Sequence, residues 1–338
     1  MLTMFKNIIS RNNPFKDTIK GKRLCVDEKI ITYMVHSRNF MILLVSAILL
    51  FACERHSPIL EQMDTAEKLM NNKPDSALSI LENIPVSSIK GKEVSARYAL
   101  LKSMALDKSY IDTTTFDILQ PAIDYYAQNG TPDEKLRTYY YQGRIYQNQG
   151  DDDSAMQSFM NGCDLKPSVT DSLLLAHTLV AQGTLYLKQY KTTEFIHSNM
   201  AAAKLYGAVG KSLLEIKSYT NAIDGYIMQN NKIAADSLLA ICIPLVQKSP
   251  DGEEYMFSSL LSYTIEFGSP HDIKAFLAEH QDFDMTKDEI MDFAQGYSKI
   301  GEYDKAIKCL TEISLDASTL DSLKYACLLY TSPSPRDQ

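Results

Sequence analysis

The sequence predicts an all-α chain of antiparallel helix pairs stacked one on the next, and three observations carry that prediction. The stretch Leu136 to Pro167, LRTYYYQGRIYQNQGDDDSAMQSFMNGCDLKP, spaces large and small residues as two packed helices require. Gln142-Gly143 followed by Tyr146 returns further on as Gln182-Gly183 followed by Tyr186, so the stretch is one member of a series. Elsewhere apolar residues recur at helical spacing between Asn, Gly and Pro breaks, and no stretch reads as a strand-rich domain.

Within the stretch, each residue type has a physical task. Gly143 and Ala155 are small where two helices must approach closely, while Tyr139, Tyr146 and Phe159 are large where the space between them must be filled. Gly150 occupies the turn, where a residue without Cβ costs little. Asp151, Asp152 and Asp153 open the second helix, complement its dipole and supply a cap. Pro167 ends the unit because it cannot continue a helix.

Composition sets the outer bounds. A chain of 338 residues, 45% hydrophobic and 22% charged, holds two average domains or one elongated array. A formal net charge of −8 argues against a general nucleic-acid surface in the part present. Twenty tyrosines and no tryptophan suit an array that uses Tyr as its filling aromatic.

The two ends are read apart from the fold. Met41 to Ala52, MILLVSAILLFA, is apolar but shorter than the roughly 20 residues a membrane-spanning helix needs. With His36 and Arg38 before it, residues 34–52 fit a secretory signal starting at Met34, and residues 1–33 are expected to be upstream or non-native leader. Leu50-Phe51-Ala52-Cys53 resembles a bacterial lipoprotein box, with Phe51 bulkier than usual. The resemblance implies acylation at Cys53, a tether over 53–57 and a place in the bacterial cell envelope, membrane-anchored and facing periplasm or surface. The alternative is an ordinary signal with Cys53 incidental. At the other end, Cys327 to Asp337, CLLYTSPSPRD, resembles the translation of a transposon-end adapter from sequencing libraries. Residues 327–338 are therefore expected to be artefact, with native sequence stopping near Ala326 and the gene product truncated; the alternative is a Pro/Ser tail.

Between these ends, residues 58–326 divide into helix pairs. Ile59 to Ile84 gives one, broken at Asn71-Asn72-Lys73-Pro74, with Asp75 or Ser76 able to cap its second helix. Val94 to Leu106 and Phe116 to Ala127 give the next, with Pro121 set to kink the second helix or shift its start. After 136–167 comes a unit opening at Asp171-Ser172, whose second helix, Thr193 to Leu205, carries Phe195 or Thr193 where a small residue is expected. Tyr219, Ala222, Tyr226, Ala235 and Leu239 mark a further unit, in which Ile223 replaces the glycine and looser packing is expected. Residues 254–283 form a weaker pair, and Phe293, Ala294, Tyr297, Gly301, Ala306 and Leu310 a strong last one. Asp321-Ser322-Leu323 repeats the opening at Asp171.

Counted from Leu136, the aromatic at 4, Gly at 8, Tyr at 11, Gly at 15, Ala at 20, Phe at 24 and Pro at 32 resemble the tetratricopeptide repeat, a helix–turn–helix unit of about 34 residues. Gly183, Tyr186, Tyr297, Gly301 and Ala306 extend the resemblance, which covers about seven helix pairs. It implies a right-handed α-solenoid whose first helices line a concave groove. Family positions carried onto this chain place Arg137, Tyr140, Arg144, Gln147 and Asn148 in that groove, with His177, Thr184 and Lys188 from the next unit. Arginine forks with Tyr140 would suit an acidic or aromatic-containing peptide. The alternative is a solvated face whose side chains pair locally.

No phosphate loop, HExxH, CxxC or GxSxG appears, and no cofactor, metal or catalytic set is implied. His36, His56, His177, His197, His271 and His280 are too scattered for shared ligation. Cys163, Cys242 and Cys309 read as small core residues on second helices, although an odd thiol count sits uneasily with export. The expectation is a non-enzymatic interaction scaffold, a membrane-tethered lipoprotein holding a protein or peptide partner. The competing readings are the sensory half of a truncated transmembrane signalling or transcription regulator, and a glycan-uptake lipoprotein.

Overall fold

A computed structural model describes residues 58–281 and 285–312. The leader, signal, Cys53, tether and adapter-like tail all lie outside the described residues. Within them the chain forms fourteen α-helices, one short 3-10 turn at Val86–Ser88 and no strand. In order these are α1 Pro58–Leu69, α2 Pro74–Glu82, α3 Lys92–Lys108, α4 Gln120–Asn129, α5 Pro132–Gln149, α6 Asp152–Cys163 and α7 Ser172–Lys188. They continue as α8 Thr192–Ala208, α9 Ser212–Met228, α10 Lys232–Val246, α11 Gly252–Phe267, α12 Pro270–Glu279, α13 Lys287–Lys299 and α14 Tyr303–Glu312.

Local chemistry explains most of the boundaries. α5 opens on a capping box, in which Thr131 accepts from the Glu134 N–H and Glu134 reaches back to Thr131, with Pro132 in the first turn. α12 and α13 open the same way, through Ser269 with Asp272 and Thr286 with Glu289. Asp151 and Asp171 cap α6 and α7 by accepting from the Ser154 and Leu174 N–H groups. Two expectations need correction. α2 starts at Pro74, whose ring fixes the first helical φ, so Asp75 and Ser76 lie inside the first turn and Lys73 stands at the cap without a side-chain bond. Pro121 shifts the start of α4 to Gln120, leaving Phe116 outside the helix to stack edge-on against Tyr146 at 4.8 Å.

The helices alternate in two layers. Each second helix packs on the first helix of its own pair and of the following pair. First helices also pack on one another: α1 on α3, α3 on α5, α5 on α7, α9 on α11 and α11 on α13. The result is an α-solenoid with its core between the layers. From α3 to α11 its period is regular, since the first helices begin at residues 92, 132, 172, 212 and 252, whereas the units at either end, starting at 58 and 287, are shorter-spaced.

Close approach is bought by small residues. A Cβ on Gly143 would run into the Phe159 ring, and Phe159 and Ala155 are fully buried. Gly183 faces Asn199 Nδ2, where an added Cβ would sit 3.0 Å away. Asn199 is itself buried and satisfied, donating to the Phe195 carbonyl and accepting from Asn221. Around Ile223 the packing is tight rather than loose. Ile223 is fully buried, and the small residue has moved to Gly225, over which Ile196 lies. Gly225 thereby makes room for Phe195 as well, which explains how a large residue stands at that position of α8. In the last pair Ala306 is buried, Gly301 turns the chain at φ 79°, and Tyr297 packs edge-on against Phe293.

Candidate functional site

The first helices α1, α3, α5 and α7 converge on a cavity of about 120 Å³, lined by Glu67, Met70, Met104, Lys108, Arg137, Tyr141, Asp171 and His177 among others. Arg137 is its central cation. Its guanidinium bridges Glu67 on α1 at 3.1 Å and Asp171 at the start of α7 at 3.3 Å. Burial alone would lower the Arg137 pKa, but the Asp171 and Glu67 carboxylates outweigh it and the group is held firmly charged. His177 closes the far side. Its Nδ1 lies 2.8 Å from the Tyr206 hydroxyl, and burial, with Lys108 nearby, pushes its pKa down so that the ring is neutral near pH 7. Lys108, on the cavity wall, has no ion-pair partner among the described residues.

The expected groove residues divide by placement. Arg137 and His177 share the cavity. Arg144 is paired with Asp107 at 2.9 Å and also donates to Gln147, while Asn148 donates to the Thr113 carbonyl, so these three brace the connection after α3. Lys188 turns to Asp152 at the start of α6, and the exposed Thr184 bonds back to the Val180 carbonyl. Tyr140 is half-buried: its ring packs on Tyr141 and Phe159 at the margin of the core, and burial raises its hydroxyl pKa to about 12. Among the repeat-defining residues, Tyr139 and Tyr146 are half-buried and Gly150 is left-handed at φ 77°.

Glu67, Lys108 and Tyr141 escaped the sequence reading, yet a signal for Lys108 existed. The period that starts helices at 92, 132 and 172 places Lys108, Asn148 and Lys188 at equivalent positions, and likewise Arg97, Arg137 and His177. Carrying the period backward from 136–167 finds Lys108. It also finds Arg97, which binds Asp64 and Glu67 at 2.7 Å each and so holds the cavity wall. A larger cleft of about 740 Å³ lies apart from these residues, between the α2–α3 connection and α4, with Lys92, Asp124 and Tyr125 on its walls.

Comparison with known proteins agrees with this architecture. Residues 136–169 match the tetratricopeptide repeat family. The apo form of RapI superimposes with a TM-score of 0.61 at 12% identity, over 83% of each chain. A Rap protein complexed with competence and sporulation factor superimposes with a TM-score of 0.51 at 13% identity, over 80% of this chain and 78% of that one. Comparison with curated protein sequences finds no match. The chain is thus an α-solenoid of helix pairs in which residues 136–169 match the tetratricopeptide repeat.

Proposed function

We propose that this chain is a non-enzymatic scaffold that holds a protein or peptide partner on the face formed by its first helices, at the cavity between α1, α3, α5 and α7. The observation that carries the reading is Lys108, a cation without an ion-pair partner among the described residues, in a cavity whose other charges are already matched. A carboxylate of the partner would find its counter-charge there, with Met70, Met104 and Tyr141 offering apolar contact. The Rap protein of similar fold that was solved with competence and sporulation factor supports binding by such an array. The scaffold is tethered to a bacterial envelope membrane through lipid on Cys53, a reading supported by the sequence before the repeats.

The test is affinity capture from detergent extracts of the source cells, with parent chain and Lys108→Glu compared by quantitative mass spectrometry at matched melting temperature. A partner enriched by the parent and lost by the variant supports the assignment; identical captured sets exclude the cavity as the binding face. Acyl labelling of parent and Cys53→Ala tests the tether, and equal label in both would remove it.

A further inference from the structure

The turn between first and second helix is built the same way in successive units. In each, one N–H reaches back three residues and the next reaches back five, so that the residue between them is left-handed. These residues are Tyr110 (φ 58°), Gly150 (φ 77°), Tyr190 (φ 58°), Asn230 (φ 52°) and Gly301 (φ 79°). Glycine is the unstrained choice at such a position and Asn the next, whereas a bulky side chain there is an outlier. Tyr nonetheless stands there twice, in two units separated by one. Both rings are almost fully exposed, Tyr110 at 95% and Tyr190 at 93%, so neither recovers the strain by packing within the chain. The turn between them has no side chain at Gly150 and is followed by Asp151, Asp152 and Asp153, with Asp151 and Asp153 exposed. Asp152 is matched by Lys188, and Asp151 is held ionised by its bonds to Ser154.

We propose that this edge of the solenoid is a second docking surface, for an extended basic segment of a protein partner. The rings of Tyr110 and Tyr190 serve as two posts and the carboxylates of Asp151 and Asp153 as counter-charges on the low turn between them. Two helix spacings separate the posts, about 20 Å, which a chain of about six extended residues spans. Lysine or arginine side chains of that segment would lie over the tyrosine faces and pair with the aspartates. The acidic balance at the edge, where Asp112 and Glu194 add to the aspartates against the exposed Lys191 and a Lys188 already paired with Asp152, selects a basic ligand over an acidic one. The surface is distinct from the first-helix face and does not depend on a partner being held there.

The left-handed geometry supplies a clean test, because Tyr→Gly removes the ring and relieves the backbone together. Binding of a fluorescein-labelled octapeptide of alternating arginine and serine to the full chain is followed by fluorescence anisotropy. The expected result is binding weakened at least tenfold in Tyr110→Gly/Tyr190→Gly, with a melting temperature equal to or above the parent's. Tyr110→Phe/Tyr190→Phe should bind like the parent, and Asp153→Lys more weakly. No binding by the parent, or equal binding by the glycine pair, overturns the proposal. So does peptide binding that responds to Lys108→Glu and not to the tyrosines, which would place the ligand on the first-helix face. Sedimentation with phosphatidylserine vesicles that the glycine pair abolishes, alongside unchanged peptide binding, would make the edge a membrane contact and overturn it equally.

Discussion

Gly143 on α5 lies against the Phe159 ring of α6, so closely that a single added carbon at Gly143 would collide with the ring's Cε1, with Cδ1 and Cζ 2.8 Å away. Because Phe159 is fully buried, the ring has nowhere to retreat. Gly143→Ala should therefore destabilise the chain despite alanine's better helix propensity. Overpacking costs about 1–3 kcal/mol and the propensity gain returns up to about 1, for a net loss of about 1–2 kcal/mol. Urea denaturation checks this, and Gly143→Ala/Phe159→Leu should recover part of the loss. An unchanged midpoint in Gly143→Ala would show that the two helices part without cost.

Asp224 on α9 carries a carboxylate oxygen shut off from solvent with no hydrogen-bond partner among the described residues. Burial raises its pKa to about 6, Ser259 on α11 pulls the other way, and the charge of Asp292 on α13 adds to the rise. A folded-state value above the unfolded 3.8 means the contribution is fully present below about pH 4 and lost as pH climbs through 6. Above that the ionised group costs roughly 2–3 kcal/mol. Asp224→Asn should then be more stable than the parent at pH 7.5 and nearly equal to it at pH 4, as measured by melting temperature across the range. A difference independent of pH would contradict the shift.

Arg137 joins α1 to α7 through Glu67 and Asp171. In Arg137→Ala, Glu67 keeps its second cation, Arg97, while Asp171 keeps its cap on Leu174 and loses its charge partner. The expected loss is about 1 kcal/mol, smaller in high salt because the pair is partly solvated. Amide hydrogen exchange should speed up in α1 and the first turn of α7 and stay unchanged in α11 to α14. Uniform acceleration would mean that the bridge is not local.

Burial pushes the Cys163 thiol up to about 12 and the Cys242 thiol to about 11. At pH 8 about a thousandth or less of either is thiolate, the reactive form. Iodoacetamide should leave both unmodified in the folded chain within the time that labels an exposed thiol, and label both in urea. Fast native labelling of Cys242 would show that the core between α9 and α10 opens.

The helix pairs were legible because each signal is local. Tyr146 with Gly150 and Tyr297 with Gly301 mark the end of a first helix, and Thr131-Pro132-Asp133-Glu134 starts one regardless of what packs on it. What escaped depends on contacts between units. Nothing near Ile223 announces that Gly225 provides the space, since that space matters only once Ile196 from the preceding helix lies over it. Tyr140 stands at a family groove position, yet its ring turns to Phe159, and adjacent tyrosines at 139, 140 and 141 give no local sign of which faces inward. The cavity itself joins Glu67 to Asp171 across four first helices, and that convergence is a property of how the units stack.

First helices begin at 92, 132, 172, 212 and 252, and the second helices of three of those units at 152, 192 and 232. In the gene this is a constant count of codons between equivalent points. Two misaligned copies recombining anywhere within that stretch would keep helix phase, turn and reading frame together. A change in unit number by such an exchange would keep helix phase, while contacts particular to one seam, such as Ile196 over Gly225, would have to be matched anew. Tyr110 and Tyr190, carried along with their units, would change their separation by whole helix spacings only, so the reach of that edge is set in discrete steps.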